Sequence, residues 1–177
     1  MELGWLDQYD SIKAAVLCGA PGELGFDSLG KILSGEVNPS GHLADTYVYD
    51  LLATPTANNF GGFAYDNYAE VTGSQDNRAM FVNYCEGIYV GYRYYETVGV
   101  PVRFPFGYGL SYSTFTYSAI TATATGVDFV VTNDSDVAGS TVAQLYVRAP
   151  QGGVLHPDRE LKGFVKVELA AHESKSV

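Results

Sequence analysis

The sequence predicts an α/β fragment of one or two strand–helix units, joined through an aromatic connector to an antiparallel β-sandwich that stops short of completion. Three observations predict it. The apolar run Ile12-Lys13-Ala14-Ala15-Val16-Leu17 halts at Cys18-Gly19-Ala20-Pro21-Gly22, ahead of helically spaced apolar residues. From Thr116 onward, short segments alternate apolar and polar residues between turn formers. Between the two lies a stretch, Tyr84 to Tyr112, dense in Tyr, Phe and Gly.

In chain order, Ile12 to Leu17 reads as a buried strand. Leu24, Leu29, Ile32 and Leu33, with Phe26, give a helix face that Ser34-Gly35 closes. One such unit cannot bury both faces of its strand, because a parallel strand needs neighbours and flanking helices. Residues 1–52 are therefore expected to be the end of a larger α/β domain, with Ala44 to Leu52 as a further strand around Tyr47, Val48 and Tyr49.

Residues 53–110 are expected to form a long loop and the connector. Thr54-Pro55-Thr56, Asn58-Asn59-Phe60-Gly61-Gly62-Phe63 and Gly73-Ser74-Gln75-Asp76-Asn77 supply turn formers throughout residues 53–80. A loop of this length inside a compact domain is usually functional or an ordered linker. In the remaining stretch, residues 111–177, Val127 to Thr132 alternates before Asn133-Asp134-Ser135, and Thr141 to Val147 alternates before Pro150. Val165 to Leu169 repeats the period. This is a β-sandwich pattern of the fibronectin type III kind, but only about four or five strands fit where about seven are needed. The sandwich should be incomplete, ending inside a strand at Glu173 to Val177, with Val142, Leu145 and Val147 leaving an apolar edge partly open.

The 177 residues, 46% of them hydrophobic, can build one good core or two small ones. A formal charge of −10 and the lack of any Lys/Arg cluster exclude a nucleic-acid surface. An acidic, Tyr-rich surface suits neutral polyhydroxy ligands, although solubility explains the charge equally well and most of the 14 Tyr are expected to pack. Cys18 and Cys85 form no disulfide framework, and His42, His156 and His172 show no ligand spacing, so neither metal nor cofactor is expected. Met1-Glu2-Leu3-Gly4-Trp5 lacks the features of a signal peptide, and no run approaches the ~20 apolar residues of a membrane span. A soluble chain with no membrane partner is expected, its compartment, cytoplasmic or secreted, set by the parent protein.

Four blocks point further. Tyr84-Cys85-Glu86-Gly87-Ile88-Tyr89-Val90-Gly91-Tyr92-Arg93-Tyr94-Tyr95-Glu96 is followed by Phe104-Pro105-Phe106-Gly107-Tyr108-Gly109-Leu110-Ser111-Tyr112. Asn38-Pro39-Ser40-Gly41 lies upstream and Arg159-Glu160-Leu161-Lys162-Gly163-Phe164 downstream. In order and spacing they resemble the C-terminal half of glycoside hydrolase family 3, the β-glucosidase and β-xylosidase family, over nearly the whole chain. The resemblance implies a parent that removes terminal β-linked sugars by double displacement, which needs two carboxyl groups about 5 Å apart. In the family the nucleophile is an Asp on a (β/α)8-like barrel, and the acid/base Glu lies upstream of the segment that Asn38 to Gly41 resembles. Neither motif is found here.

The resemblance therefore implies no catalytic residue in this chain, an accessory or structural role, and a barrel domain outside it as partner. Oligosaccharide or aryl and alkyl glycosides would bind through the parent, and homo-oligomers are compatible. The Asn58 to Asn77 loop is similar to a branch of the family in which the barrel follows the β-domain.

Among individual residues, Glu23 sits after the first strand, where α/β sites form, but a helix-start carboxylate is stabilised by the dipole alone. Glu86 and Arg93 invite reading as sugar ligands; an ion pair or a bonded carboxylate fixing a junction is favoured. Tyr92, Tyr94, Phe104, Phe106 and Tyr108 are expected to be largely buried, with the interleaved glycines permitting close backbone approach. Asn133-Asp134-Ser135 fits a glycosylation triplet of the kind common by chance. The candidate substrate-binding residues are Phe60, Phe63, Tyr65 and Tyr68, which would make a sugar platform if the chain is instead a free-standing carbohydrate-binding or adhesion module. A plain structural spacer is the third alternative, against which the half-built α/β unit counts.

Overall fold

The computed structural model describes residues 2–59, 63–73, 80–150 and 152–177. Its elements in chain order are α1 (Asp27–Leu33), β1 (Phe63–Ala64), α2 (Tyr68–Thr72), β2 (Met80–Phe81), α3 (Tyr92–Val98), β3 (Phe115–Ala122), β4 (Val127–Asn133), β5 (Gly139–Val147), β6 (Glu160–Leu169) and β7 (Ser174–Ser176). Short 3-10 turns occupy Gly4–Gln8 and Ala57–Asn59. The fold is thus mixed helix and antiparallel sheet. The chain divides into two compact units, one of residues 1–11, 45–106 and 148–160, the other of residues 12–44, 107–147 and 161–177.

The first unit is centred on Thr46, Tyr47 and Val48, all buried. Tyr47 exchanges backbone hydrogen bonds with Phe104 at 2.9 and 3.0 Å, and Leu3 N–H donates to Val48 O at 3.2 Å. Ala44 to Leu52 is therefore tied down by single bridges rather than forming the strand its composition predicts. β1 and β2 pair antiparallel with Phe63 opposite Phe81, inside a region that sequence alone reads as loop.

α3 is a single short helix bounded by Gly91 and Gly99, both at positive φ, where a side chain would be strained. Its buried residue is Tyr95. Tyr92, Tyr94, Phe104 and Phe106, expected to be largely buried, are half-buried, and Tyr108, in the second unit, is exposed. On α3, Tyr92 and Tyr95 share a face at i, i+3 spacing and Tyr94 stands off it, so these three rings cannot all turn inward together; Phe104, Phe106 and Tyr108 lie outside the helix.

In the second unit β3, β4 and β7 form an antiparallel sheet with β4 central, and β5 pairs with β6. Phe115 faces Asn133 and Ala122 faces Val127 across β3 and β4, with a register shift between Ser118 and Thr121. Ala119 takes up the shift at φ +50°. Alternation along β4 places Phe129 and Val131 on one face, where Val131 joins Val167 and Leu169 of β6 in the core, flanked by Phe115 and Val177.

Ile12 to Leu17 forms no strand. The run is exposed, Val16 by 50% and Leu17 by 56%, and α1 begins at Asp27, later than its apolar spacing suggests, with Leu24 and Phe26 exposed ahead of it. Hydrophobicity marks where a strand can be buried, but the strand itself exists only when a neighbouring backbone completes its ladder. No described strand pairs with this run.

Candidate functional site

The four motif blocks find one another in pairs, one pair in each unit. In the second unit, Asn38 is the fastening: its Oδ1 accepts from Ser111 Oγ and Tyr112 N–H, both at 2.8 Å, and its Nδ2 donates to Ser113 Oγ at 2.8 Å and Ala138 O at 3.0 Å. Both donors and both acceptor positions of the amide are used. Nearby, Leu43 N–H donates to Tyr108 O and Gly107 N–H to Leu43 O, each at 2.8 Å. Gly109 lies so close to Gly41 that a Cβ there would sit 2.3 Å from the Gly41 oxygen, the close backbone approach its block predicts.

In the first unit the partners are charges. Arg159 makes a two-pronged ion pair with Glu96 of α3, and Arg93 Nε lies 3.9 Å from Glu160 Oε1. Arg93 therefore pairs across blocks rather than with Glu86. Glu86 instead accepts from Asn59 Nδ2 at 2.8 Å, and the same amide nitrogen approaches Cys85 Sγ at 3.1 Å. Asn59 is buried, so its amide needs such partners. Sequence reasoning singled out the segments that hold Asn59, Asn38 and Glu96 but missed their partners, which stand 27, 73 and 63 residues away.

Of the candidate sugar-contacting residues, Phe60 lies outside the described residues. Phe63 and Tyr65 converge on Phe81: Phe63 stacks on it at 5.5 Å and 27°, and Tyr65 tilts against it at 5.0 Å and 45°. Direct opposition of Phe63 and Phe81 in the β1–β2 register produces the stack. Phe63 and Tyr65 remain exposed by 38% and 46%. Tyr68 opens α2 and is half-buried, its N–H donating to Tyr65 O at 3.2 Å. Phe81 is a participant that the loop-like reading of residues 53–80 left out.

Glu23 is exposed in the turn ahead of α1, and the acidic residue in the helix's first turn is Asp27. Asn133 is wholly buried. Its Nδ2 donates to Val137 O at 2.8 Å and Ala170 O at 3.0 Å, while its Oδ1 accepts from Ser135 N–H at 3.0 Å. An amide so enclosed offers no nitrogen to a glycosyl donor in the folded state. Burial, followed by the nearby Asp45 and Tyr94, pushes the Tyr95 phenol above its ordinary range. Among the described residues no group of three or more His, Cys, Asp or Glu could hold a metal, and no helix is long and apolar enough to cross a membrane.

Motif residues locked onto each other within each unit describe a scaffold-type arrangement. The comparisons make the family specific. Residues 1–112 match the glycosyl hydrolase family 3 C-terminal domain and residues 141–177 match the fibronectin type III-like domain, so the chain belongs to glycosyl hydrolase family 3.

The thermostable beta-glucosidase B of Acetivibrio thermocellus is 40% identical over all of this chain and 22% of its own length. An exo-alpha-(1->6)-L-arabinopyranosidase of Bifidobacterium breve is 39% identical over 88% of the chain and 19% of its own length. Among solved structures, beta-glucosidase 3B from Thermotoga neapolitana in complex with glycerol superposes with a TM-score of 0.73 at 37% identity, covering 88% of this chain and 21% of that one. The chain thus spans about a fifth of the length of these relatives.

Proposed function

We propose that this chain is the accessory, non-catalytic portion of a retaining glycoside hydrolase of β-glucosidase type. The observation that carries the reading is the pairing of the motif blocks: Asn38 is consumed by Ser111, Tyr112 and Ser113, Glu86 by Asn59 and Glu96 by Arg159, while Arg93 faces Glu160 at 3.9 Å. Carboxylates held by amides and guanidiniums serve architecture, whereas retaining hydrolysis needs two carboxyl groups facing one sugar about 5 Å apart. In this reading residues 1–52 end an α/β sandwich, residues 53–110 are loop and connector, and residues 111–177 form an incomplete fibronectin type III-like sandwich. The core shared by β4 and β6 supports the last assignment.

The exposed run from Ile12 through Leu17, with Leu24 and Leu33, supports a neighbouring sheet that is not among these residues. The catalytic barrel is the proposed partner domain, and glycosides bind through the whole enzyme. Relatives named for a glucosidase and for an arabinopyranosidase are 40% and 39% identical to the chain, which supports placing sugar choice elsewhere. Assay of the chain with an aryl β-glucoside should give no turnover above buffer. Turnover that disappears in Glu23→Gln would overturn the reading.

A second reading is favoured by the Phe63, Tyr65 and Phe81 cluster. Rings braced by a third ring and open to solvent form a rigid apolar face of the kind that sugar C–H groups pack on, with Tyr65 and Tyr68 offering hydroxyls. This patch would contact substrate within the whole enzyme, or carbohydrate directly in a binding module. Calorimetric titration with cello-oligosaccharides separates the two: binding by the chain alone, lost in the double variant Phe63→Ala, Tyr65→Ala, favours the module, and no heat favours the accessory role.

A further inference from the structure

We propose that residues 152–160 form a strap fastened to α3 by a reciprocal charge clasp, which loosens as ionic strength rises. α3 offers Arg93 and Glu96 one turn apart, and the strap offers Arg159 and Glu160. The signs cross: Arg159 grips both oxygens of Glu96, and Arg93 faces Glu160 at 3.9 Å. A slip of one residue would set Glu160 toward Glu96, so the pattern accepts one register and repels the next.

Two further bonds complete the fastening. Thr97 Oγ1 accepts from Asp158 N–H at 2.9 Å, and Arg148 reaches the Asp158 carboxylate at 2.7 Å, closing the base of the loop. Pro157 is buried and is the strap's apolar anchor, whereas Val154 and Leu155 are 71% and 80% exposed. Charge carries much of the hold because so little apolar surface is buried. The clasp side chains are partly exposed, from 24% for Glu96 to 44% for Arg159, so mobile ions reach them and screen them.

The test is hydrogen exchange on the whole 177-residue chain. Between low salt and 1 M NaCl, amides of residues 152–159 should exchange on the order of tenfold faster while those of β3 and β4 hold constant. Arg159→Glu should produce the same acceleration at low salt, and adding Glu96→Arg should restore protection by rebuilding the pair with its sign reversed. If Arg159→Glu unfolds the chain, Arg159→Lys, which keeps the charge but loses the fork, should give an intermediate rate. Salt-independent exchange in the strap, or a double reversal no better protected than the single one, would overturn the clasp.

Discussion

Asn133 offers the sharpest test of what holds the second unit together. Replacing it with Ala removes three hydrogen bonds at 2.8–3.0 Å from a fully buried site, to residues Val137 and Ser135 in the β4–β5 turn and Ala170 in the β6–β7 turn. At about 1 kcal/mol for each lost bond, with more where a carbonyl stays buried and unpaired, the change should cost about 3–4 kcal/mol. Because 1 kcal/mol lowers the midpoint of a chain of this size by about 2–4 °C, melting should fall by roughly 6–16 °C. Urea unfolding followed by far-ultraviolet circular dichroism measures the loss. Asn133→Asp is the informative control: it keeps the acceptor for Ser135 but turns a carboxylate toward two carbonyl oxygens, so it should be at least as damaging as Ala. A loss under about 1 kcal/mol, or an Asp variant milder than Ala, would show that the amide is not the hub described.

Gly109→Ala should destabilise by about 2–3 kcal/mol in the same urea experiment, because its Cβ would meet the Gly41 backbone oxygen at 2.3 Å and neither backbone can yield cheaply. Ala119→Gly should raise the midpoint slightly, by about 0.5 kcal/mol, since glycine relieves the φ of +50° at the β3 shift and gives back part of that gain in chain entropy. The Tyr95 phenol is raised in the folded state, so its contribution is whole below the unfolded value of 10.0 and is lost as pH climbs from there through the folded value. Stability of Tyr95→Phe should therefore fall less steeply above pH 10 than that of the parent chain, as urea midpoints taken across this range would show.

What sequence could reveal followed the range of each interaction. Alternation from Val127 to Thr132 and from Thr141 to Val147 announced β4 and β5, because period-two burial is a local property. The Gly109 approach was legible in the alternation of Gly and aromatic residues from Phe104 to Gly109, which permits close backbone contact. Ile12 to Leu17 misled, since its apolar run reports a buried environment but not whether a ladder partner is present. Asn133 looked like part of a chance triplet, and only its distance from Ala170, 37 residues on, reveals a buried hub. The candidate platform was half-visible: Phe63 and Tyr65 stood out by type, but Phe81, which braces both, depends on a β1–β2 pairing too short to leave a periodic signal.

The most direct measurement is mechanism-based labelling with a 2-deoxy-2-fluoro-β-glucoside, which leaves a stable glycosyl ester on the nucleophile of a retaining enzyme. The chain should keep its unlabelled mass after incubation, and in the whole enzyme the labelled peptide should carry an Asp outside these 177 residues. A glycosyl ester on any carboxylate between Glu2 and Glu173 would contradict the accessory role and place the nucleophile within this chain.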